Sequence, residues 1–144
     1  MTAPVFVDSN VFLYAFDDAD PAKQQAARKW LSLLWQNRLG RISFQVLSEF
    51  YVNAERMSPA ATDEVRAEIR SLFAWRPVAI DSALLERGWK LRDRYHLSYW
   101  DALIVAAAKA ASCGYLLTED LQSGQKLDGI EVLNPFLFDP QTIT

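Results

Sequence analysis

The chain has little of what several protein chemistries require. It has one cysteine, Cys113, and one histidine, His96, among 144 residues. A disulfide framework within the chain is therefore excluded, and a Cys/His zinc cluster lacks its ligands. A Cys113–His96 nucleophilic pair survives the count, but Cys113 closes an alanine-rich segment with no polar neighbour to orient a base. Long apolar runs are also missing. The longest, Ala102 to Ala108, is far too short to cross a bilayer, so no membrane contact is expected. Residues 1–8 carry no basic side chain ahead of the first apolar run, which speaks against a secretory leader. With the scarce cysteine, this points to a reducing cytoplasm. Basic residues are in no excess: 15 Lys and Arg face 18 Asp and Glu, leaving a net charge of −3. That balance does not suit a protein that coats nucleic acid non-specifically, but it leaves room for a local basic face.

What remains is an ordinary globular composition, 51% apolar and 23% charged, in a length that suits a single domain over 1–144. No repeat, low-complexity tract or linker divides it. Val5-Phe6-Val7 reads as a strand, and it ends at Asp8 before a second apolar run from Val11 to Phe16. The apolar spacing predicts helices over 22–37, 45–57, 60–73, 82–95 and 99–111. Short strands are expected at 41–44, 77–80, 115–118 and 130–133. Strands alternating with helices indicate an α/β fold on a mainly parallel sheet. The strand 5–7 is continuously apolar, as a sheet covered on both faces requires.

Four carboxylates stand in unusual surroundings. Asp8 ends the first strand, where open α/β sheets place their ligands, although Asp is also a favoured helix N-cap. Glu49 borders the apolar stripe formed by Leu47, Phe50, Tyr51 and Ala54, a position that either solvent or a site can claim. Asp101 opens "DALIVAAAKAA", a helix apolar almost all round that belongs in the interior. A carboxylate there must be paired, neutralised or bound to a cation. Its alternative role is the fourth residue of a capping box begun by Ser98. Asp120 follows the strand at 115–118 directly, or else starts a polar turn. Glu119 beside it leaves the strand in the opposite direction, so only one of the two should face a common site. If these groups cluster, their repulsion calls for a cation, and oxygen-only ligands select a hard ion such as Mg²⁺ or Mn²⁺. Such sites activate water for phosphodiester hydrolysis.

At this point the residues resemble a known family. "VFVDSNVFLYAFD", Glu49, "LSYWDALIVAAA", "LLTEDLQSGQ" and the closing "VLNPF", in that order and spacing, look like a PIN-domain ribonuclease, specifically a VapC-type toxin of a toxin–antitoxin pair. The resemblance implies a three-layer α/β/α sandwich and a Mg²⁺- or Mn²⁺-dependent endoribonuclease. It also implies that Asp8, Glu49, Asp101 and Asp120 form the acidic cluster, with Asn10 and Thr118 as supporting polar residues. A homodimer, inhibition by a cognate antitoxin, and structured RNA substrates such as tRNA follow from the same likeness.

Other chemistries compete. A phosphatase uses a carboxylate at the end of its first strand as phosphoryl acceptor, but it wants a second Asp two positions on, where this chain has Asn10. A DNA-directed nuclease differs only in how a 2′-hydroxyl is read. An inactive interaction module would use its carboxylates merely as helix caps. Finally, Arg87, Lys90 and Arg94 share one face of the helix over 82–95, either as a solvated stripe or as contacts to an RNA backbone.

Overall fold

The computed structural model describes residues 3–143. Val5, Phe6 and Val7 form β1 (Val5–Val7), and all three side chains are fully buried. β1 passes at once into α1 (Ser9–Phe16), and α2 (Pro21–Gln36) follows, with Asp20 as N-cap and Pro21 opening the helix. The edge strand β2 (Gly40–Arg41) leads into α3 (Phe44–Met57), which Ser43 caps, and then into α4 (Thr62–Leu72). Two longer helices come next, α5 (Ser82–Tyr95) and α6 (Tyr99–Ala110). The chain ends with β3 (Tyr115–Leu117), β4 (Lys126–Leu127) and β5 (Ile130–Leu133).

The sheet order is β2-β1-β3-β5-β4. Val5 pairs with Gly40 and Tyr115, and Leu117 with Leu133, all in parallel register; β4 alone runs antiparallel, against β5. β1 is thus a central strand, and its carboxyl end lies beside that of β3. Helices complete the three-layer α/β/α sandwich. α5 packs along α6, which contacts β3 and β5, and α1 packs against α2 and α3. In α6, every residue from Ala102 to Ala108 is buried, as its all-round apolar sequence requires.

Three expectations about elements need correction. The strand expected at 41–44 is β2, shifted to Gly40–Arg41, because Ser43 turns its hydroxyl to the Val46 amide and starts α3 one residue early. The strand expected at 77–80 shrinks to one parallel bridge between Ser43 and Val78, since no further residues pair there among those described. Between the strands expected at 115–118 and 130–133, where no element was expected, the chain forms β4. Gly40 has a packing reason of its own: a Cβ there would run into the indole of Trp75.

Candidate active site

Asp8 follows the last residue of β1 and is buried, 5% exposed. Its backbone continues the ladder, donating to the Leu117 carbonyl at 3.0 Å. Its carboxylate is held at both oxygens: Oδ1 accepts the Ser9 amide at 2.7 Å and Oδ2 accepts the Thr118 hydroxyl at 2.9 Å. Asp8 therefore does cap α1, and it also faces the carboxyl end of the sheet.

Thr118 is the hub of a small network. It is fully buried one residue beyond β3. Its hydroxyl donates to Asp8 while accepting from Asn10 Nδ2 at 2.9 Å and from the Asp120 amide at 3.1 Å. That uses the one donor and both lone pairs a hydroxyl offers. Asn10 Nδ2 also reaches Asp120 Oδ2 at 3.1 Å. Two strand ends and the first turn of α1 are thereby locked into one arrangement.

Glu49 comes from α3. Gln45, one turn earlier, donates to the Trp100 carbonyl at 3.2 Å, tying α3 to the start of α6. Asp101 sits in the first turn of α6 and is half-buried, so the expected interior carboxylate is instead at the helix mouth. Ser98 Oγ accepts the Asp101 amide at 3.2 Å, which is one half of a capping box. Among the described residues no bond returns from the Asp101 carboxylate to the Ser98 amide. The charge of Asp101 is instead felt at Asp8 and Glu49.

The charges of the four carboxylates act on Asp8 and Glu49. Burial, reinforced by the charges of Asp120 and Asp101, pushes the Asp8 carboxyl up to about 6. Burial and then the charge of Asp8 push Glu49 up to about 7, with smaller contributions from Asp101 and Asp120. Buried polar atoms are ordinarily paired, yet Glu49 Oε1 and Asn10 Oδ1 are buried without a partner. An all-oxygen donor set with an open acceptor and raised carboxyl pKa values suits a hard divalent cation. As the side chains stand, no three of them, among the described residues, are gathered closely enough to cage an ion.

Glu119 points away from this group. Lys23 Nζ holds its carboxylate at 2.9 Å and donates to Tyr14 Oη at 3.3 Å, lying over the rings of Tyr14 and Phe136. Neither Lys23 nor Gln45 gave a signal in the sequence, because each acts across a gap in the chain that no local spacing encodes. Arg87, Lys90 and Arg94 are exposed on α5. Arg87 lines a cleft with Asp81, Lys109 and Ser112, at the opposite end of α6 from Asp101. Arg94 lies over the Tyr95 ring at 5.1 Å. Burial pushes the Cys113 thiol up to about 12, so no thiolate nucleophile is available, and His96 ends α5 in a left-handed conformation.

The family model of the PIN domain matches residues 5–126. Solved structures share the fold. A toxin–antitoxin complex from Klebsiella pneumoniae superposes with a TM-score of 0.61 at 20% identity, over 94% of this chain and 98% of that one. Mycobacterium tuberculosis VapC20, a sarcin–ricin loop cleaving toxin, gives 0.62 at 21% identity, over 78% and 86%. VapBC2 from Rickettsia felis, solved on a DNA fragment from its promoter, gives 0.58 at 17% identity, over 89% and 96%. No curated protein sequence matches the chain.

Proposed function

The chain belongs to the PIN domain family, and from that premise we propose that it is a divalent-metal-dependent endoribonuclease, the toxin half of a toxin–antitoxin pair. One observation carries this function: Asp8, Glu49, Asp101 and Asp120, brought from separate elements, share one field at the carboxyl end of the parallel sheet. Mg²⁺ or Mn²⁺, held by these four, would supply water activation and charge neutralisation at the leaving oxygen.

The chain's own residues do the rest. Asp8 presents its carboxylate in one geometry, because the Ser9 amide and Thr118 hydroxyl fix both oxygens. Asn10 and Thr118 hold Asp120 at the rim. Glu49 Oε1 is the open acceptor, and a carboxyl with a pKa near 7 can take or release a proton at neutral pH. Asn10 offers only an amide at the position where a phosphatase needs a second acid, which disfavours that chemistry.

The toxin–antitoxin complexes among the solved relatives support an antitoxin partner. A homodimer, a structured RNA such as tRNA as substrate, a cytoplasmic location and a backbone contact from Arg87, Lys90 and Arg94 complete the proposal. No helix of the described residues is long and apolar enough to cross a membrane. Incubating the protein with an RNA and a DNA of the same sequence, in Mg²⁺, in Mn²⁺ and in chelator, tests it. Cleavage of RNA only, and only with metal, is expected. Metal-independent cleavage, preference for DNA, or no cleavage in any condition overturns it.

A further inference from the structure

At the other end of the sheet lies a cleft of about 470 Å³ lined by Trp35, Arg38, Arg41, Ala74, Trp75 and Arg76. Three arginines line it in a protein of net charge −3, and among the described residues none of them forms an ion pair. Arg41 is oriented, not free: its Nη1 donates to the Arg38 and Gly40 carbonyls at 3.1 and 2.8 Å. That leaves Nε and Nη2 for a ligand. Arg38 and Arg76 sit at φ of 56° and 55°. Glycine or asparagine would be relaxed in that left-handed region, and arginine occupies both. The aromatic pair is built to present one face. Trp75 is buried, 6% exposed, beneath side-chain-free Gly40, and Trp35 leans on it with ring centroids 5.1 Å apart while remaining 38% exposed.

We propose that this cleft binds single-stranded RNA, a phosphate on the guanidiniums and an unpaired base on Trp35, as an exosite separate from the carboxylate cluster. A nucleotide matches both halves of the lining, since Arg pairs phosphate bidentately and an indole stacks any base. Inorganic phosphate or an acidic peptide would use the arginines and leave the indole idle. The naming of RNA rests on the proposed ribonuclease function. The two lie at opposite ends of a short sheet: Val5 pairs with Gly40, which packs on Trp75 of the cleft, and Asp8 is three residues further along β1, a rise of roughly 10 Å. One strand of the length that single-strand sites take, about 4–16 nucleotides, reaches both.

Fluorescence anisotropy of a labelled ~12-nucleotide single-stranded RNA in chelator, where nothing is cleaved, tests the site. Arg38→Ala with Arg76→Ala should weaken binding by about 10-fold and flatten the log–log salt slope by about 1.4, at about 0.7 per lost contact. Arg56→Ala, an exposed arginine at the end of α3, should change neither beyond its single charge. Trp35→Leu should weaken binding by at least about 5-fold, and Trp35→Phe, which still stacks, should restore most of it. Melting temperatures matched to the parent protein exclude a folding defect. Unchanged affinity and slope in the arginine pair overturns the proposal, as does failure of the parent protein to bind RNA. Polyglutamate or inorganic phosphate competing as well as RNA also overturns it, in favour of a plain anion site. Adding Mn²⁺ afterwards reads the nuclease on its own. Cleavage with arginine-independent binding removes only the exosite, and arginine-dependent binding without cleavage removes only the nuclease.

Discussion

The two ends of the sheet carry opposite chemistry on the same strands. At the carboxyl ends of β1 and β3, a hydroxyl–amide network fixes Asp8 and Asp120, and the charge of Asp101 reaches Asp8 and Glu49. At the amino end of β1 and along edge strand β2, arginines gather over a tryptophan pair. The net charge of −3 therefore averages two local fields of opposite sign. The acidic end is organised by side chains bonding to one another, Asp8 to Thr118 to Asn10 to Asp120. The basic end is organised by shape, through Gly40 under Trp75 and two left-handed arginines. Catalysis needs the first kind of order, because reacting groups must keep their positions. Binding a flexible strand needs only the second.

The strongest way to separate the two ends is to damage one and measure turnover. Asp8→Asn should lower RNA cleavage by about 10²-fold or more, the range seen when a charge-stabilising group is lost, while circular dichroism and RNA binding in chelator stay near the parent's. Loss of binding instead of turnover would place substrate grip at the acidic end.

A smaller effect should appear in stability. The parent protein should gain about 2.7 kcal/mol when Mn²⁺ is at 100 times its dissociation constant, and Asp101→Asn should gain much less. In chelator near neutral pH the order reverses, because Asp101→Asn relieves repulsion on Asp8 and Glu49. Ser98 caps α6 through the backbone amide of residue 101, so the cap survives the substitution. Paired thermal melts check both signs, and a lower chelator melting point with no metal shift in either protein would reduce Asp101 to a cap.

The smallest expected effect lies in the pH profile. Asp8 and Glu49 have folded pKa values of about 6 and about 7, above their ordinary values of 3.8 and 4.5. A raised carboxyl pKa is a cost to the fold that is absent at low pH. It grows as pH rises from about 4 and levels off above about 7. The metal-free protein should therefore lose stability across that window, and Glu49→Gln should be more stable than the parent at pH 8 by about 1 kcal/mol, discounted because the side chain is partly open to solvent. Metal affinity should fall as pH drops through 7 towards 6, since both groups must ionise to bind. Urea melts across pH and Mn²⁺ titrations check the two trends.

Most of this was legible in the sequence where one local rule decided. Val5-Phe6-Val7, the alternation of strands and helices, and the apolar span of α6 gave the layers. Asp8 and Asp120 were legible as acids at strand ends. Asp101 was legible as an acid out of place, although its depth was overestimated because its helix is buried only from the residue after it. What stayed hidden depends on distant partners. Asn10 and Thr118 entered as supporting residues through the family resemblance, but the hub that Thr118 makes exists only when β1 and β3 lie side by side. The strand at 77–80 failed because a β-rich string of residues found one bridge partner and no more. Arg38, Arg41 and Arg76 are scattered polar residues in the chain, and only the tertiary fold places them around Trp35.

The placement of β1 between β2 and β3 also sets a clock. Asp8 and Thr118, whose side chains bond directly, are separated by 110 residues. At about 5–20 residues per second, a ribosome needs roughly 5 to 20 seconds between making the first and making the second. During that interval β1 has at most one neighbour, and its central position cannot be filled from the other side. The bond between Asp8 and Thr118 thus cannot form on the nascent chain until residue 118 has emerged, so the two halves of the acidic end meet only late in synthesis.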